Sequence, residues 1–271
     1  MGRVPIFVLG WQDMPELTFG EERIFFREGD QPSQGKTPIF IHGAGGSSYP
    51  WTHLIGSPSP GYRCIAIDLP GHGQSGGNGR DSVKDYVDVL REFLKALNPG
   101  PYVLIGHSMG GAIVQLYALD RPEGLKGIVL VGTGARLRVA PLVFDSLEGD
   151  FTSAIELSTG WAFSEKTSPA VVQPYIQETL KGSPKVMIND FRACDAFNIM
   201  DRVQEISLPT LIICGAEDKL TPTKYSQYLH DKIPGSTLEI IPDAGHMVML
   251  EKPKEFNHAF QQFINSVVPW G

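Results

Sequence analysis

The sequence predicts an α/β protein: a mostly parallel central sheet with helices on both faces, plus a helical segment inserted between two of its strands. Two observations predict it. Short continuous apolar runs alternate with amphipathic helical patterns, as in a parallel sheet buried on both faces. The alternation then stops over residues 135–203, where only helical patterns occur, and afterwards resumes. The expected division is a core of residues 1–134 and 204–271 and an inserted cap, or lid, of residues 135–203.

In chain order, residues 23–27 alternate weakly and read as an early antiparallel strand, with a turn over residues 29–36. Residues 38–41 are a short buried strand ending in His42-Gly43-Ala44-Gly45-Gly46, and a helix follows from Ser47 or Ser48 to about Ile55. Residues 62–67 form a strand, and residues 68–76 a long polar loop. Ser82 is placed to cap a helix carrying Val83, Tyr86, Val87, Leu90, Phe93, Leu94 and Leu97 at helical spacing, ended by Asn98-Pro99-Gly100. A strand over residues 102–105 and a helix carrying Ile113, Val114, Leu116, Tyr117 and Ala118 come next, then a strand over Leu125–Val131. The insertion reads as helices over residues 141–157, 169–181 and 184–197, the last two opened by proline. Strands over residues 210–214 and 237–241 alternate with helices over residues 222–232 and 253–267.

Composition narrows the function. Hydrophobic residues make up 42% of the 271 and charged residues 20%, enough for a sizeable core and against disorder. The net charge of −7 comes with no cluster of Lys and Arg, which disfavours nucleic acid and anionic membrane surfaces as partners. Cys64, Cys194 and Cys214 are odd in number and widely spaced, so buried free thiols are expected rather than a disulfide framework or zinc site. No basic segment followed by a long apolar one opens the chain, so no signal peptide and a cytoplasmic protein are expected.

The chemistry centres on Gly106-His107-Ser108-Met109-Gly110, flanked by the apolar run before it and the helix after it. Strand, tight turn and helix are the context a G-x-S-x-G nucleophile elbow requires. Side chains at 106 and 110 would collide as the helix folds back over the strand, and Ser108 would be held in a strained conformation at the positive end of that helix. A serine hydroxyl needs a base, and the base an orienting acid. His246 lies after the last predicted strand, and Asp218 directly after an earlier one, in the order this elbow chemistry uses. Glu217 and Asp243 are rival acids. His42, His72 and His107 lie near predicted strand ends, but their spacing matches no zinc motif and structural hydrogen bonding is expected of them. Asp68 is expected to brace its loop.

These motifs, with Asp68-Leu69-Pro70-Gly71-His72-Gly73, Gly215-Ala216-Glu217-Asp218 and Ala244-Gly245-His246, make the chain resemble the α/β-hydrolase fold superfamily in its lid-bearing branch. The resemblance covers residues 23–267 and is specific for fold, much less so for substrate. It implies Ser108 as nucleophile, His246 as general base and Asp218 as its orienter; Glu217 and Asp243 miss the family position. It implies an oxyanion hole of the backbone N–H groups of Ala44 and Met109. A serine at the elbow separates the chain from the dehalogenases and epoxide hydrolases of this fold, which carry aspartate there. The implied activity is a carboxylesterase acting on small-molecule esters through an acyl-enzyme, with no cofactor or metal, and the large apolar residues of the insertion point to small to medium, mainly apolar acyl groups. A C–C hydrolase, lactonase, aminopeptidase, perhydrolase or haloperoxidase activity shares the same parts, and a small-ligand receptor shares the fold. Because the lid would lie over the site, Phe144, Trp161 and Phe197, with Met247 beside His246, are the residues expected against the substrate.

Overall fold

The computed structural model describes residues 15–29, 37–56 and 62–267. The expected turn over residues 29–36 and the chain's first residues therefore lie almost wholly outside the described part. Strands β1 (Glu16–Phe19), β2 (Glu22–Glu28) and β3 (Thr37–Ile41) lead to a 3₁₀ turn at Tyr49–Trp51 and the short helix α1 (Thr52–Ile55). Then follow β4 (Ile65–Ile67), α2 (Val83–Leu97), β5 (Tyr102–His107), α3 (Met109–Leu119) and β6 (Leu125–Val131). The inserted region holds α4 (Pro141–Gly149), α5 (Phe151–Ala162), α6 (Pro169–Thr179) and α7 (Pro184–Ala196). The chain closes with β7 (Thr210–Gly215), α8 (Thr223–Lys232), β8 (Thr237–Ile241), α9 (Val248–Glu251) and α10 (Pro253–Ser266).

The strands form one eight-stranded sheet in the order β1-β2-β4-β3-β5-β6-β7-β8. β2 pairs antiparallel with β1 and β4, and every later pair is parallel. The strands read as unbroken apolar runs because alternate residues enter two different cores. Ile39, Ile41, Leu104, Ile128 and Ile212 pack under α2, α3 and α8. Phe40, Val103, Ile105, Val129 and Ile213 pack under α1 and α10, with Trp51, Phe256 and Phe260 filling that side. The inserted helices have a smaller core of their own, built on Leu147, Ala154, Ile155, Ile176 and Met187.

Three local expectations need correction. The helix expected over residues 141–157 is two, because Asp150 leaves the helix and its carboxylate caps α5 by accepting from the N–H groups of Thr152 and Ser153. Ser82 stands at the start of α2 in extended conformation, yet its hydroxyl makes no capping bond. The expected strand over residues 62–67 narrows to Ile65–Ile67, since β4 finds its partners β2 and β3 only there.

Candidate active site

Ser108 stands between β5 and α3 with φ 53° and ψ −116°, a conformation a side-chain-bearing residue adopts only under constraint. The constraint is visible. Its N–H donates to Val131 O at 2.9 Å, and Thr133 Oγ1 donates to its carbonyl at 2.8 Å. The crossing backbones leave no room for flanking side chains: a Cβ at Gly106 would lie 2.3 Å from Gly110 O, and one at Gly110 2.5 Å from Ile41 O. The serine is thus held, half-buried, at the carboxyl end of a central parallel strand.

His246 and Asp218 meet although 28 residues apart: His246 Nδ1–H donates to Asp218 Oδ2 at 2.8 Å. Both side chains are buried. Asp218 is held by its own loop, Oδ1 accepting from the N–H groups of Leu220 (2.9 Å) and Thr221 (2.8 Å), and Oδ2 from Thr221 Oγ1 at 2.8 Å. Burial alone would raise the Asp218 pKa, but His246 and these hydrogen bonds outweigh it and hold the carboxyl below its ordinary value. The rival acids are engaged elsewhere. Glu217 Oε2 accepts from Ser164 Oγ at 2.5 Å, and Asp243 pairs with Lys166 of the inserted region.

The loop after β3 is clamped from its own side chain. His42 Nδ1–H donates to Gly43 O at 2.7 Å, and Gly46 N–H reaches the same oxygen at 3.1 Å. The carbonyl of Gly43 and the N–H of Ala44 belong to one trans peptide and point opposite ways, so fixing the first aims the second. Leu69 N–H donates to His42 Nε2 at 3.0 Å, which selects the neutral tautomer; burial and the neighbouring His72 keep that imidazole well below its ordinary pKa.

Ser108, His246 and Ala44 line one cavity of about 90 Å³. Its walls include Trp51 of the core, Ile155 and Thr159 of α5, Tyr175 of α6, and Met187 and Phe191 of α7.

The description "Alpha/beta hydrolase family" belongs to the family model that matches residues 39–259. The chain belongs to this family. A "thermophilic esterase" of known structure is 35% identical and superposes with a TM-score of 0.82 over 93% of this chain and 97% of its own. The pimeloyl-[acyl-carrier protein] methyl ester esterase of Nitrosomonas europaea is 26% identical, over 83% of this chain and 94% of that protein. The (E)-2-((N-methylformamido)methylene)succinate hydrolase of Acinetobacter baylyi is 27% identical, over 89% and 94% respectively.

Of the residues expected against a substrate in this hydrolase, Met247 lines the cavity and three do not. Phe144 lies on α4, which contributes nothing to the lining. Trp161 lies on α5 but is not among Ile155, Ser158, Thr159 and Ala162, the residues of that helix that meet the cavity. Phe197, just beyond α7, packs into the main core against the sheet. Thr221 and Gly132 carry no signal in the sequence, yet Thr221 Oγ1 touches both Asp218 and His246, and a Cβ at Gly132 would lie 3.2 Å from His246 Nδ1.

Asp68 accepts from Ser48 N–H at 2.6 Å and Gln74 N–H at 2.9 Å, bracing the two loops beside the site. Burial pushes the Cys64 thiol up to about 12 and raises those of Cys194 and Cys214, leaving all three cysteines as inert, free thiols. Among the described residues no helix is long and apolar enough to cross a membrane.

His107 Nε2–H donates to His246 O at 3.1 Å, and burial, with repulsion from His246, pushes its pKa down to about 3. The unfolded chain takes up a proton there below the ordinary 6.5 while the folded chain does not until about 3. Stability is therefore lost as pH falls through that window, by up to about 1.4 kcal/mol per unit. His107→Gln keeps an N–H donor and removes the titration. Between pH 6.5 and 4.5 the variant is expected to lose about 2 kcal/mol less stability than the wild type in urea unfolding. Equal losses would contradict a neutral buried imidazole.

Proposed function

We propose that this protein is a serine esterase of carboxylesterase type that cleaves carboxylic esters with small, mainly apolar acyl groups through an acyl-enzyme. The observation that carries the reading is the hydrogen bond from His246 Nδ1 to Asp218 Oδ2, made at the wall of the cavity that Ser108 enters. With Nδ1 committed as donor, Nε2 is the basic nitrogen, free to take the serine proton. Ser108 Oγ attacks the ester carbonyl as His246 accepts that proton. The oxyanion that forms is held by the N–H groups of Ala44 and Met109, the latter at the first turn of α3 where N–H groups have no intrahelical acceptor. His246 then gives the proton to the leaving alkoxide. A water activated by the same nitrogen releases the acid and restores the serine. The sequence likeness to esterases supports this assignment, and residues 135–203 act in it as a lid whose α5, α6 and α7 close the acyl pocket.

The cavity volume bears on the substrate. An engineered apolar cavity of about 150 Å³ accommodates benzene, so about 90 Å³ with apolar walls suits an acyl chain of about two to four carbons. The net charge of −7 favours neutral esters over polyanionic ones. Each CH₂ buried is worth about 0.8 kcal/mol, nearly fourfold in kcat/KM, until the pocket is full. In a p-nitrophenyl ester series from acetate to palmitate, efficiency is expected to rise to an optimum at or near butyrate and then fall. A lactone, a peptide-like anilide and a vinylogous diketone acid run beside it should be poorer substrates. Esters near background with fast turnover of any of those three would replace the esterase reading with a lactonase, an aminopeptidase or a C–C hydrolase.

A further inference from the structure

Asp190 of α7 is wholly buried, and it belongs to none of the groups assigned above. Its Oδ2 accepts from Gly45 N–H at 2.7 Å and from His72 Nε2 at 2.7 Å, and its Oδ1 from Tyr86 O–H at 2.5 Å. His72 Nδ1–H donates in turn to Pro70 O at 3.0 Å, so both ring nitrogens face acceptors. Burial by itself would lower the His72 pKa, but Asp190, its hydrogen bond and the Pro70 carbonyl raise it above the ordinary value. The Asp190 carboxyl group and the His72 ring are thus paired out of water, between an inserted helix and the core, an arrangement whose desolvation is costly to maintain.

Its position gives it a use. Gly45 follows Ala44, and its N–H belongs to the Ala44–Gly45 peptide, so Asp190 fixes the peptide on one side of Ala44 while His42 and Gly46 fix the one on the other. Met187, one helical turn before Asp190, packs over the same residue: a Cβ at Gly45, whose φ is +62°, would fall 2.0 Å from Met187 Cε. One face of α7 therefore seats on the loop through a packing contact and a charged hydrogen bond. We propose that Asp190 is a positioning residue that reaches from the inserted region to lock the Ala44–Gly45 peptide, so that the aiming of the Ala44 N–H, begun by the His42 clamp on Gly43, is completed for oxyanion binding when α7 is seated. Enclosure of the substrate and completion of the oxyanion hole are then one event. This rests on the serine esterase reading.

The test compares wild type, Asp190→Ala and Asp190→Asn on p-nitrophenyl acetate, with an alkyl trifluoromethyl ketone as tetrahedral mimic and thermal unfolding in parallel. Loss of an oxyanion donor costs about 10²–10³-fold in kcat. Asp190→Ala is expected to lose about 10²-fold in kcat with KM within about threefold, and to lose mimic affinity in proportion. Asp190→Asn keeps the shape and one acceptor without the charge. It is expected to fold and to lose about three- to tenfold in both quantities, since charge-assisted hydrogen bonds are about twice as strong as neutral ones. A folded Ala variant with kcat within threefold of wild type, a loss of kcat with mimic affinity intact, or an Asn variant unchanged in both would overturn the proposal. Wild-type turnover at background would instead overturn the esterase reading itself.

Discussion

Ser108→Ala is expected to fold as the wild type does and to lose about 10⁴-fold or more in kcat/KM on a short-chain p-nitrophenyl ester. The fold survives because the strain at position 108 is borne by backbone hydrogen bonds to Val131 and from Thr133, and by glycines at 106 and 110, none of which involves Oγ. Activity does not survive because the neighbouring hydroxyls are engaged elsewhere: Thr133 Oγ1, beside the elbow, donates to the Ser108 carbonyl at 2.8 Å. Ser158 and Thr159 line the cavity with Ser108, but they lie on α5, and Thr159 Oγ1 donates to Ile155 O at 2.7 Å. A purified variant with near-normal turnover would refute the assignment of the nucleophile.

Asp218→Asn is expected to cost about 10⁴-fold in kcat. The loop decides how the amide must lie. Two backbone N–H groups, of Leu220 and Thr221, point at Oδ1, so the carbonyl oxygen of asparagine must occupy that position. The NH₂ is then turned toward His246 Nδ1. That nitrogen becomes an acceptor, the proton moves to Nε2, and the ring can no longer take the serine proton. Glu217→Gln makes the contrast, since Glu217 is bonded to Ser164 and lies 3.6 Å from Lys166, away from the imidazole. Its kcat should stay within about threefold of wild type, as surface ion pairs contribute little. A reversal of the two results would move the acid by one residue.

What could be read in the sequence is what local geometry dictates. The elbow is local: strand, Gly-x-Ser-x-Gly and helix stand within a few residues of one another, and the glycines have steric reasons that hold whatever the rest of the chain does. Asp218 and His246 are legible as residues just beyond apolar runs, since a parallel sheet gathers the carboxyl ends of its strands at one edge. Phe144, Trp161 and Phe197 carry no pattern that orients them, because apolar residues lie on more than one side of the inserted helices, so which side faces the cavity depends on tertiary packing. The face α5 presents is Ile155, Ser158, Thr159 and Ala162, a mixed and mostly small set. β1 is a half-exposed edge strand with little hydrophobic pattern to mark it in the sequence. Asp190 had no signal at all. It sits inside a helix as a surface residue would, and its partners Gly45, His72 and Tyr86 lie 145, 118 and 104 residues away.

The most direct test of the central claim is covalent. A fluorophosphonate reacts with a serine only when a base activates the hydroxyl and an oxyanion hole receives the developing charge. Wild-type protein should take up one equivalent, the adduct should map by mass spectrometry to the peptide containing Ser108, and ester hydrolysis should disappear in proportion to labelling. Hydrolysis that persists after complete labelling of Ser108, or an active protein whose Ser108 takes no label, would contradict it.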